Sequence, residues 1–129
     1  MRLRLAALVL VVLALPLTAA AAGSLTVAFK ATTHAPKVNV KWPWSVTATS
    51  GGRVIAGTVT AQVVDPVGGV HAVEYGGVHN KFVTNVKFKG RFADFVLYPP
   101  ISRGVRVTFR VTVKTALGTR VVRYWAQAR

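Results

Sequence analysis

The chain has 129 residues, with seventeen Lys and Arg set against three acids, a formal charge of +14 and no cysteine. That length allows one domain once a targeting segment is set aside. The missing thiols exclude disulfides, thiolate metal sites, cysteine nucleophiles and a lipoprotein anchor. A field of this sign favours anionic surfaces and polymers and carries no information on fold.

The N-terminus opens with Met1-Arg2-Leu3-Arg4, continues through an uncharged run from Leu5 to Leu15 and Pro16, and ends in small residues from Thr18 to Gly23. Ala-x-Ala sites end at Ala20 and Ala22, the order expected of a secretory signal peptide. Residues 1–22 therefore read as a signal peptide and 23–129 as a single domain, which predicts a secreted or cell-envelope protein. Retention as an uncleaved anchor is the alternative, although the strongly apolar part falls short of the ~20 residues a spanning helix needs. Removing Arg2 and Arg4 with that segment takes the formal charge from +14 to +12. A domain held by its core alone suits an exported bacterial protein better than a small disulfide-rich secreted module.

From Ser24 onward the pattern has a period of two, as in half-buried strands. Leu25, Val27, Phe29 and Ala31 alternate with polar or small residues, and His34 to Lys37 is a connection. Trp42, Trp44, Val46 and Ala48 share one face of a second strand, whose Pro43 marks a strand start or an edge. Ser50-Gly51-Gly52-Arg53 is a turn signal, Gly57 to Val64 a third strand, and Asp65 to Gly69 a second turn. Val70 to Tyr75 is a short strand broken by Gly76-Gly77. Val86 to Phe92 reads as one strand with Val86, Phe88 and Phe92 inward and Lys87, Lys89 and Arg91 outward; Phe95 to Tyr98 follows after Asp94. Val105 to Lys114 is the most regular stretch, with Val105, Val107, Phe109, Val111 and Val113 on one face and Arg106, Thr108, Arg110, Thr112 and Lys114 on the other. Arg120 to Ala126 returns beside it as a hairpin. The expectation is an all-β, immunoglobulin-like antiparallel sandwich of seven to eight strands.

The run Lys41-Trp-Pro-Trp-Ser-Val-Thr-Ala-Thr-Ser-Gly-Gly-Arg-Val-Ile-Ala-Gly-Thr-Val resembles the strand–turn–strand of bacterial Ig-like domains, and is similar to the exported YtkA-like domains. The hairpin from Val105 to Trp125 resembles the last two strands of such sandwiches. The resemblance implies fold alone, since the Ig cysteine pair and the tyrosine corner are missing and no Met follows the signal segment to support copper binding.

For chemistry, His71, Glu74 and His79 flank the Gly-Gly turn, and with His34 they are the candidate ligands for a copper- or zinc-handling domain. Their spacing matches no ligand motif. No serine sits in a Gly-x-Ser-x-Gly elbow, and Asp94 with Glu74 is the one acid–base pairing available, so the chain reads as non-catalytic and cofactor-free. Trp42 and Trp44 read as core. Tyr124 and Trp125 fall on opposite faces of the last strand, so one of them is exposed. The cations are the most informative feature: Arg106, Arg110 and Lys114 form one acid-free stripe, Lys87, Lys89 and Arg91 a second, with Arg120 or Arg123 adding to the first. These predict a face for an anionic cell-envelope polymer, lipid headgroups or an acidic protein, with nucleic acid less favoured because stacked aromatics are lacking. A purely structural envelope module is the further alternative.

Overall fold

Alternation drives the fold, because a strand with one apolar face is stable only against a second layer. A computed structural model describes residues 23–74 and 81–129. The strands are β1 (Leu25–Ala31), β2 (Trp42–Ser50), β3 (Arg53–Val54), β4 (Ala56–Val64), β5 (Val70–Ala72), β6 (Val86–Lys89), β7 (Arg91–Val96), β8 (Arg106–Thr115) and β9 (Gly118–Gln127), with one short 3-10 turn at Pro100–Ser102. All pairing is antiparallel. One sheet joins β1, β2, β3 and β7; the other runs β5-β4-β8-β9, with β6 also on β4. The two pack as an all-β sandwich. Residues 1–22, read from the sequence as a signal peptide, lie outside the described residues.

The shared interior holds Trp42, Trp44, Val46 and Ala48 from β2 against Val59, Ala61, Phe109, Val111 and Val113 from β4 and β8. Phe109 is its centre, with ring centroids 5.3 Å from Trp42, 5.1 Å from Trp44 and 5.8 Å from Phe29. Trp42 is polar-satisfied as well, since Nε1 donates to the Thr33 carbonyl at 2.8 Å. Val105 departs from expectation: it precedes β8 and is 38 % exposed, so the inward row of that strand begins at Val107.

The stretch from Val86 to Phe92 is not one strand. It breaks at Gly90, whose φ of 75° ends β6 in the five-stranded sheet and starts β7 in the other. Ile55 does the same between β3 and β4. The two crossings are tied together: Gly90 N–H donates to the Ile55 carbonyl at 2.9 Å, while Ala48 N–H donates to the Gly90 carbonyl at 2.8 Å. Strand alternation passes through such a corner unchanged in sequence, which is why the pattern alone reads as continuous. This split and the two-residue β3 raise the strand number to nine among the described residues.

Tyr98 packs edge-on against Trp42 at 5.5 Å, and burial pushes its hydroxyl pKa upward, so it stays neutral. That hydroxyl makes no hydrogen bond among the described residues. Removing an unpaired buried hydroxyl removes a desolvation cost and keeps the ring. Tyr98→Phe is therefore expected to leave urea stability unchanged or raise it by about 1 kcal/mol. A loss of similar size would show that the oxygen has a partner.

Candidate functional site

The register places both basic stripes. Directly opposed residues of neighbouring strands project to the same side of a sheet. Thr58 of β4 faces both Lys114 of β8 and Lys87 of β6, and Ala56 faces Lys89. Arg110 faces Arg123 of β9 on one side and Gln62 of β4 on the other. Lys87, Lys89, Arg106, Arg110, Lys114 and Arg123 thus share the outer face of the five-stranded sheet. Arg91 does not. It pairs with Thr47 across the Gly90 corner and, with Lys30, Ser45 and Asp94, lines a shallow depression of about 280 Å³ on the other sheet.

No acid belongs to the basic face among the described residues. Asp65 caps the turn after β4, where its carboxylate contacts His71 Nε2 at 2.9 Å and accepts the amides of Gly69 at 2.8 Å and Val67 at 3.0 Å. The His71 bond first, and the Gly69 amide second, hold its pKa below the ordinary value. Asp94 lies opposite Trp44, hence on the inner side of β7, and Glu74 bridges to Phe82. The outer positions between the cations are instead filled by Thr58, Thr60, Gln62, Thr108 and Thr112.

Two of the guanidinium groups are held in place. Arg110 Nη2 donates to Gln62 Oε1 at 2.8 Å, across the strand pair. Arg106 lies over the Trp125 ring at 4.1 Å. On β9 it is Tyr124 that turns inward, opposite Phe109, while Trp125 is on the outer face and 42 % exposed. The His34 ring stacks on both, at 4.0 Å from Tyr124 and 3.9 Å from Trp125, and its Nδ1 lies 2.6 Å from the Trp125 carbonyl. A carbonyl only accepts, so that nitrogen carries the proton and is not available to a metal. With His34 and Arg106 both in ring contact, Trp125 is a positioning element for Arg106 more than an open platform.

No protein-family model, curated protein or solved structure matches the chain. The geometry of the face is then the ground for a functional reading. Of the metal candidates, His71 is engaged by Asp65, Glu74 sits apart in its bridge, and His79 lies outside the described residues. Among the described residues no three His, Asp or Glu side chains cluster. Gln62 and the His34–Trp125 stack are the parts of the face that the sequence pattern does not single out. Gln62 alternates like any outward strand residue, and His34 reaches β9 from a connection 91 residues away in the chain.

Proposed function

We propose that the protein is an exported, non-catalytic Ig-like module that binds an anionic cell-envelope polymer through the outer face of its five-stranded sheet. The observation that carries this reading is the gathering of six cations from β6, β8 and β9 onto one face without an acid. Ordinary outer faces mix signs, and opposing like charges such as Arg110 and Arg123 destabilise a strand pair. An anion resting on the face relieves that repulsion. Along β8, Arg106, Arg110 and Lys114 recur about every 14 Å, and Lys89 to Arg106 spans roughly 35 Å of sheet, from strand rise and spacing. Such a track suits an extended chain of charges more than a single small ion.

The Ig-like reading is supported by the layering. With β1, β2 and β7 taken as A, B and E and β9, β8, β4 and β5 as G, F, C and C′, the arrangement follows that of Ig sandwiches. The contact of Trp44 on β2 with Phe109 on β8 then stands where such domains carry their B–F disulfide.

The test is retention on an immobilised polyanion as salt is raised. The Arg106→Ala/Arg110→Ala/Lys114→Ala variant is expected to bind on the order of 100-fold more weakly at low salt, at about 1 kcal/mol per cation. Its salt dependence is expected to fall by roughly half, because three of the six neutralising cations are gone. A Lys30→Ala/Arg91→Ala variant on the opposite sheet should keep wild-type binding. Retention that ignores salt, or that survives the triple substitution, would falsify the proposal.

A further inference from the structure

Building on that reading, we propose that the row Gln62–Arg110–Arg123 is a subsite for a tetrahedral oxyanion, the phosphate or sulfate ester of a linear polymer. The three residues lie side by side on β4, β8 and β9, with Arg110 directly opposite both neighbours. Arg110 Nη2 uses the one acceptor of the Gln62 side chain, its Oε1, at 2.8 Å. That bond turns the Gln62 oxygen toward Arg110 and leaves its amide NH2 to donate, and a guanidinium has donors only. The row therefore presents donors from three strands.

Geometry selects the class of anion. Arg110 starts about 5 Å at Cβ from each neighbour, while Gln62 and Arg123 stand two strand spacings apart on either side of it, so the donors belong to separate strands and to more than one plane. A carboxylate offers two oxygens in a single plane, which one guanidinium fork already satisfies. A phosphoryl or sulfuryl group spreads its oxygens about a tetrahedral centre and can accept from all three residues together. The Gln62 bond fixes Arg110 before the ligand arrives, which reduces the ordering cost of binding. Arg106 and Lys114 stand about 14 Å to either side along β8, where further charged groups of the same polymer would lie. Bases are not required by this site, and Trp125 has Arg106 and His34 against its ring rather than an open face.

Long-chain polyphosphate, dextran sulfate and polygalacturonate of matched length and charge density provide the test, by titration calorimetry at fixed salt. Wild type is expected to bind the first two about tenfold more tightly than the carboxylate polymer, because a tetrahedral group accepts from all three residues together. Arg110→Lys keeps the charge and removes the fork with its tie to Gln62, so binding of the first two should fall further than that of polygalacturonate and the preference should shrink to within about twofold. Arg123→Gln should reduce the same preference in a second, independently folded variant, with thermal melting confirming both folds. A stronger response to polyphosphate or to dextran sulfate identifies whether the site takes phosphoryl or sulfuryl groups. Equal affinity of wild type for all three polymers, or a preference intact in Arg110→Lys, overturns the subsite and leaves the polyanion face standing. Failure to bind any of them overturns both.

Discussion

Phe109→Ala is expected to lower the free energy of unfolding by about 3–5 kcal/mol, the usual range for removing a buried aromatic ring. Phe109 is fully buried at the centre of β8, and its ring touches Trp42, Trp44 and Phe29 together. Its contacts with the two Trp rings are edge-on, at 83° and 63°, an orientation that adds about 0.5–1.5 kcal/mol per pair beyond area burial. No disulfide shares the task of joining the layers, as the chain has no cysteine. Domains of this size have total stabilities of about 5–15 kcal/mol, so the variant should be near the edge of folding at room temperature. Urea unfolding followed by Trp fluorescence measures the loss. A change under about 1 kcal/mol would mean that the neighbouring rings close over the cavity, contrary to the tight packing of such cores.

The second large effect is expected at Gly90. Its φ of 75° lies in the left-handed region, which costs a residue with a Cβ roughly 1–2 kcal/mol. A Cβ there would also stand 2.8 Å from a methyl of Val54, closer than real contacts allow. The Val54 Cβ is itself 2.9 Å away, so turning that side chain does not clear the contact and β3 must shift; Gly90→Ala should cost about 2 kcal/mol or more, above the conformational penalty alone. Gly90→Val adds β-branching at a position of positive φ and should cost about 3 kcal/mol or more. Pairing Gly90→Ala with Val54→Gly, which removes the Val54 Cβ as well as its methyls, separates the two causes. If the second substitution restores full stability, the contact with Val54 dominates and the backbone contribution is small. Thermal melting of the three variants gives the comparison.

Much of the architecture could be read from the residues because it rests on alternation. Leu25 to Ala31, Trp42 to Ser50 and Arg106 to Thr115 form strands with the inward rows the period of two implies, and the hairpin return of β9 follows. What alternation cannot carry is the identity of the sheet to which a strand belongs. Val86 to Phe92 keeps its inward and outward order through Gly90, yet Lys87 and Lys89 fall on one sheet and Arg91 on the other. Val105 fits the row of β8 by parity but precedes its first ladder pair, so it stays exposed. The candidate site divides in the same way. Arg106, Arg110 and Lys114 share a face by spacing alone, whereas their neighbours Lys87, Lys89, Arg123 and Gln62 are set by register between strands far apart in the chain. Register depends on long-range pairing, and no local pattern encodes it.

The corner at Ile55 and Gly90 also bears on how the protein folds. Each of the two crossing segments contributes a strand to both layers, so neither layer can be completed while the other is open. Formation of the sheets is thereby coupled, in the manner of an all-or-none transition. The local hairpin of β8 and β9 can form early, but the pairing of β4 with β8 must close a loop of some fifty residues, from Gln62 to Arg110, before it is rewarded. Chains dominated by such non-local pairing fold slowly, typically in milliseconds to seconds. The same coupling limits the lifetime of half-built forms with an open sheet edge, the species most prone to aggregate.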